Sequence, residues 1–261
     1  MIASAPALAL LLAAGADSPI DARALFEKVR PSVVQIQARS TSGQLLGLGS
    51  GFAASEDGLI ITNHHVVKGE AAYEVHFADG TKADVVAVPL DDKEHDVAVV
   101  RVDKRLEPLP LGDATKATVG DPVMLVGSPF GLDFTVSVGT VAAYRRDGLP
   151  EEMIKLSGSE DDPVARKPVL QLTAPAGQGN SGGPVLDAQG RVLAIVQSGI
   201  GSHGNYVFSV PSNTLALALE TARTAPRVEP VYRTRWFNLG VSVVVLATVV
   251  ALYRRGARRE R

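Results

Sequence analysis

The chain has 261 residues, 46% of them apolar, which is enough to bury a sizeable core and sets disorder aside for most of its length. Acidic and basic residues nearly balance, at a formal net charge of -2, so there is no electrostatic case for a nucleic-acid partner. Cysteine is absent, and with it go a cysteine nucleophile, a thiolate metal site and a disulfide framework.

Residues 2–16 are almost wholly small and apolar and close on Ala14-Gly15-Ala16, the small-residue pattern of a signal-peptidase site. Residues 1–16 are therefore expected to be a signal peptide cleaved before Asp17, although no Lys or Arg precedes the apolar run. Residues 21–29, behind Ser18-Pro19, read as a short capped helix stopped by Pro31. β-rich runs follow at 33–38, 46–54, 59–62, 73–77, 81–88 and 97–102, separated by turn signals such as Glu56-Asp57-Gly58 and Ala78-Asp79-Gly80. Residues 103–120 are polar and aperiodic, a connector. A second set of six runs lies at 122–126, 135–144, 169–173, 184–186, 191–197 and 206–210, interrupted by a polar, acidic stretch, 146–167, that reads as a mobile loop. Residues 212–222 read as a helix with Ser212 as its N-cap. Two successive six-strand sets predict an all-β fold of paired barrels, about 31–102 and 121–211, with short flanking helices.

Beyond that body, 223–235 reads as a proline-stiffened linker. Residues 236–253 carry no charge and as a helix span about 27 Å, enough to cross a bilayer core, so one C-terminal transmembrane helix is expected. Trp236, Phe237 and Tyr253 stand at its edges, and Arg254, Arg255, Arg258, Arg259 and Arg261 crowd the far side. By the positive-inside rule the tail 254–261 is cytoplasmic and the body lies outside, the orientation a cleaved signal peptide also gives.

The stretch Gly179-Asn180-Ser181-Gly182-Gly183-Pro184 is the most informative in the chain. Glycines around one serine let the backbone fold tightly and turn amide N–H groups inward, as stabilising an oxyanion requires. A serine nucleophile also needs a base and a carboxylate to orient that base. Candidates stand at strand ends: His64 and His65 in Thr62-Asn63-His64-His65-Val66-Val67, and Asp96 ahead of Val97-Ala98-Val99-Val100. His65 precedes Asp96 by 31 residues, and Asp96 precedes Ser181 by 85. An α/β-hydrolase esterase would order its triad Ser, Asp, His, which this chain does not. His76, His95 and His203 have no second ligand at metal spacing, so no metal and no cofactor is expected.

These stretches, with Gly49-Ser50-Gly51-Phe52, Gly127-Ser128-Pro129-Phe130-Gly131 and Phe208-Ser209-Val210-Pro211-Ser212, resemble the HtrA (Deg) family of trypsin-like serine proteases in the same order. The resemblance covers the body from about residue 33 to 222, within a protease domain taken as 17–222. It implies a chymotrypsin-like double β-barrel with the cleft between barrels. It assigns His65 as general base, where an asparagine commonly occupies the position of His64, Asp96 as the orienting carboxylate and Ser181 as nucleophile. The N–H groups of Gly179 and Ser181 would form the oxyanion hole. Pro175, Ala176, Gln178, Gln197, Ser198 and Gly199 would bind substrate, with Gln178 in place of the proline often found there. Nothing in that set is acidic, so small or medium apolar residues are expected at the cleaved bond. Residues 130–136 and 200–205 match the family's activation loops.

The family usually carries PDZ domains after the protease body, whereas about 40 residues follow the last helix here, so PDZ regulation is not expected. Trimers are common in the family, which admits a homotrimer. The overall expectation is a serine endopeptidase anchored in a bacterial-type inner membrane, facing the periplasm or exterior and acting on unfolded or processed polypeptide substrates. The alternative is a catalytically silent, protease-fold binding protein or chaperone.

Overall fold

A computed structural model describes residues 20–40, 42–69, 72–128, 134–157, 161–197 and 207–225. Among them no helix is long and apolar enough to cross a membrane. The expected signal peptide and spanning segment lie outside the described residues.

The expected strands are the twelve observed, with ends shifted by a few residues. The first six, β1 (Val33–Arg39), β2 (Leu45–Ala53), β3 (Leu59–Thr62), β4 (Ala72–Phe77), β5 (Lys82–Asp92) and β6 (Val97–Val102), close a barrel in the order β1-β2-β3-β6-β5-β4. The second six are β7 (Pro122–Gly127), β8 (Thr135–Arg145), β9 (Val169–Leu172), β10 (Pro184–Leu186), β11 (Val192–Gln197) and β12 (Val207–Pro211). They close in the corresponding order, β7-β8-β9-β12-β11-β10, so both barrels share one topology.

Because side chains alternate along a strand, each strand can serve two cores. In the first barrel Val34, Ile36, Ile60 and Val100 fill its own interior, while their neighbours Val33, Ile61 and Val99 join a separate cluster. In the second barrel Val123 and Leu125 point inward, and Met124 and Val126 join that same shared cluster. Burial on both faces explains why these strands read as continuous apolar runs.

Helix α1 (Ala22–Val29) is capped by Asp21, whose carboxylate accepts from the Ala24 N–H at 3.0 Å. Helix α3 (Ser212–Thr224) buries Leu215, Ala218, Leu219 and Ala222 on one face, against strands of both barrels. Two expectations need correction. Ser212 is the first helical residue, with Pro211 at the cap, and its hydroxyl instead accepts from the Ala114 N–H at 3.0 Å, tying the inter-barrel connector to α3. The stretch 146–167 is not a plain loop: it contains α2 (Glu151–Ser157) and a 3-10 turn, Pro163–Arg166, with Ile154, Val164 and Ala165 buried in the shared cluster.

Candidate active site

β3 pairs antiparallel with β6, Thr62 opposite Ala98, so the exit of one strand meets the entry of the other at one end of the first barrel. Both carry candidate residues just outside the ladder: His64 and His65 in a 3-10 turn, His64–Val66, and Asp96 ahead of Val97. The turn lies close on β2, where a Cβ on Gly49 would meet Val66 Cγ1 at 2.5 Å.

Asp96 adopts φ +52°, a left-handed conformation that aspartate tolerates better than most residues. Its carbonyl accepts from Asn63 Nδ2 at 2.8 Å and its Oδ1 from the His65 N–H at 3.0 Å. His65 Nδ1 then lies 2.8 Å from Asp96 Oδ2 and 3.0 Å from Oδ1. An ionised carboxylate only accepts, so Nδ1 carries the proton and Nε2 of the neutral ring is left as acceptor. Asp96 is buried.

His64 turns elsewhere, its Nδ1 2.5 Å from Asp91 Oδ1, and His95 Nδ1 lies 2.8 Å from Asp92 Oδ2. Both carboxylates belong to β5, which runs to Asp92 rather than ending at 88 as expected. It continues past Pro89 by shifting register at Val85/Ala87 and Ala87/Leu90, the irregularities that let a strand bend and keep pairing.

Ser181 stands in a turn before β10, held from both sides. On one side Gly182 N–H donates to Val196 O and Val196 N–H to Gly183 O, each at 2.9 Å, along β11. On the other, Ser50 of β2 donates its N–H to Ser181 O at 2.7 Å and its hydroxyl to Gly179 O at 2.6 Å. The close approach demands glycine at 182, where φ is +83° and a Cβ would lie 2.2 Å from Ser50 O and 2.4 Å from Thr62 Oγ1. Asn180 O accepts from Gly183 N–H at 2.9 Å, so the Ser181 N–H of the same trans peptide points the opposite way, out of the turn.

His65, Gln178, Gly179 and Ser181 line one open cleft of about 440 Å³ together with Leu45, Leu46, Gly47 and Leu48 of β2. Pro175 is exposed, Ala176 is half-buried against the second barrel's core, and Gln197 is buried at the end of β11; none is among the described residues lining that cleft. Ser198 and Gly199 lie outside the described residues. The structure thus brings together His65 with Asp96, and His65 with Ser181, Gly179 and Gln178.

Residues that sequence reasoning left without a role join the site. Ser50 also accepts from Ser128 N–H at 2.9 Å through its hydroxyl and from Thr62 Oγ1 at 2.7 Å through its carbonyl. Ser128 is held in turn by Gln35, whose Nε2 donates to the Ser128 hydroxyl at 2.5 Å. The available signal was a glycine on each side of Ser50 inside a strand, which marks a close backbone approach.

The model of the trypsin-like peptidase domain matches residues 49–195, more than half of the chain. The chain belongs to the trypsin-like peptidase family. Within this peptidase domain, the HtrA/Deg likeness of the motifs is matched by similar proteins. "Protease Do-like 1, chloroplastic" of Arabidopsis thaliana is 34% identical over 206 residues, 73% of this chain and 45% of that protein. "Probable periplasmic serine endoprotease DegP-like" of Brucella suis is 38% identical over 173 residues, 64% of this chain and 31% of that protein. The peptidase chain therefore spans less than half the length of these relatives. The crystal structure of the serine endoprotease from Yersinia pestis superposes with a TM-score of 0.64 at 24% identity, covering 80% of this chain and 69% of that one, and shows the shared fold.

Proposed function

We propose that this chain is a serine endopeptidase that hydrolyses polypeptides through an acyl-enzyme, with Ser181 as nucleophile, His65 as general base and Asp96 as its orienting carboxylate. The observation that carries the reading is His65 itself: its Nδ1 is bonded to a buried aspartate while the same side chain faces a cleft shared with Ser181. Ser181 Oγ attacks the scissile carbonyl as its proton passes to His65 Nε2. The N–H groups of Gly179 and Ser181 meet the negative charge on the tetrahedral oxygen. His65 returns the proton to the departing amine, the C–N bond breaks, and water attacks the acyl-enzyme by the same relay. Pro175, Ala176, Gln178, Gln197, Ser198 and Gly199 are proposed to hold the acyl side of the substrate.

Relatives named as periplasmic endoproteases support an extracytoplasmic setting, and the uncharged segment 236–253 supports an anchor in the membrane with the tail 254–261 cytoplasmic. The substrates fitting that setting are unfolded or partly processed proteins. The test is digestion of an unfolded protein such as casein by the full chain and by Ser181→Ala. Turnover should fall on the order of a million-fold in the variant. Equal digestion by both proteins would defeat the proposal, and so would no digestion by either, which would leave the cleft as a binding site.

A further inference from the structure

The turn bearing Ser181 is sandwiched: β11 binds it at Gly182 and Gly183, and β2 binds it at Gly179 and Ser181 from the opposite side. A peptide chain crossing the nucleophile therefore has one half beside β11 and the other beside the start of β2. The acyl half is assigned above to the second barrel, next to the end of β11, which leaves the departing half to lie along β2. The wall there is made of Leu45, Leu46 and Leu48, with Gly47 between them. Leu45 is 45% exposed and Leu46 59% exposed, among the most exposed large apolar residues described, and both stand in the same cleft as His65 and Ser181. Apart from His65, no described residue of that lining is ionisable, and Arg39, which pairs across from Leu45 on β1, is already engaged by Gly43 O, Gln37 Oε1 and Glu74, so a charged side chain packed on the leucines would lose water without an ion-pair partner in the lining.

We infer that Leu45, Leu46 and Leu48 form a specificity subsite that selects apolar side chains on the leaving-group side of the scissile bond. Its occupant is the first one or two residues after that bond. This inference rests on the endopeptidase reading and adds a substrate class to it. The physical origin is removal of apolar surface from water on both partners, with no directional demand, so the subsite accepts leucine, valine and phenylalanine alike and rejects aspartate and lysine.

The full chain is assayed on internally quenched peptides that share one acyl half and differ only in the two residues after the cleaved bond, and on an anilide of the same acyl half, which has no residue there. Apolar residues should raise kcat/KM over acidic or basic ones by at least about tenfold. In Leu45→Ser/Leu46→Ser that ratio should collapse towards one, each rate being read against the anilide rate of the same variant. Leu46→Lys should instead favour aspartate after the cleaved bond. Hydrolysis of the anilide without any preference among the peptides, or a preference that survives both variants, would overturn the subsite and leave the endopeptidase reading intact. Cleavage of neither anilide nor peptides would overturn the endopeptidase reading itself.

Discussion

Ser50 uses its backbone N–H, its carbonyl and its hydroxyl to tie β2 to three other segments: the serine turn at Gly179 and Ser181, the strand end at Thr62 and the residue after β7, Ser128. It is fully buried and touches no reacting atom, so it is a positioning residue. Ser50→Ala removes the hydroxyl that donates to Gly179 O and accepts from the Ser128 N–H, at a cost of about 2 kcal/mol or more in stability. Freed of that tie, the Ser181 turn loses its register against His65, and kcat should fall about 10- to 100-fold with KM little changed. A matched rise in KM with kcat preserved would show that Ser50 supports only substrate binding. The residues proposed to carry chemistry stand out in the sequence because their neighbours are unusual: a serine among glycines and paired histidines after an apolar strand. Ser50 was not legible as a hub, since its partners lie 12, 78 and 129 residues away and a lone serine gives no sign of what it reaches.

At the scale of elements, strands were readable because burial on both faces leaves long apolar runs between turn residues, whereas α2 was not. Seven residues are too few to form a stable helix alone, and α2 owes its existence to tertiary contacts. Ile154 is fully buried, Leu149 N–H donates to Ala165 O at 2.7 Å, and Arg166 pairs with Glu151 at 3.1 Å. Ser212 misled for a related reason: a serine at a helix start suits both a local cap and a distant donor, and here the donor won. The same junction carries a pH-dependent tie. Asp113 accepts from Thr115 Oγ1 at 2.6 Å, from the Thr115 N–H at 3.0 Å and from Asn213 Nδ2 of α3 at 3.4 Å, and these bonds, the Thr115 hydroxyl's first, pull its pKa down from 3.8 to about 2. A carboxylate depressed on folding stabilises fully above its unfolded pKa and loses that effect as pH falls through the folded one. The contribution of Asp113 is thus present above about pH 4 and fades towards about pH 2. Thermal melts should place Asp113→Asn below the parent at pH 5, with the gap narrowing as the pH is lowered through that window. A gap constant with pH would assign the tie to geometry alone.

At the scale of the molecule, the proposed site lies where two barrels of like topology meet, which makes their mutual packing a condition of the proposed activity. Among the described residues three apolar clusters run through the body, one inside each barrel and a third drawing Val33, Ile61 and Val99 from the first barrel and Met124, Val126 and Ile195 from the second. Alternation along each strand means that neither barrel can lose its ladder without stripping one wall from the shared cluster, so the two should unfold together despite being separately closed. Met124→Ala tests this, because Met124 is fully buried in the shared cluster and not in the second barrel's own interior. Its loss should cost about 2–5 kcal/mol. Hydrogen exchange read strand by strand across a urea series should show one midpoint for β1–β6 and β7–β12, moved by the same amount in both barrels. Protection in the first barrel that outlasts that of the second would mean that the shared cluster is a contact between two independent folding units. In that case the alignment of His65 with Ser181 could be lost while each barrel remained folded, and activity would disappear at lower urea than the last protected strands.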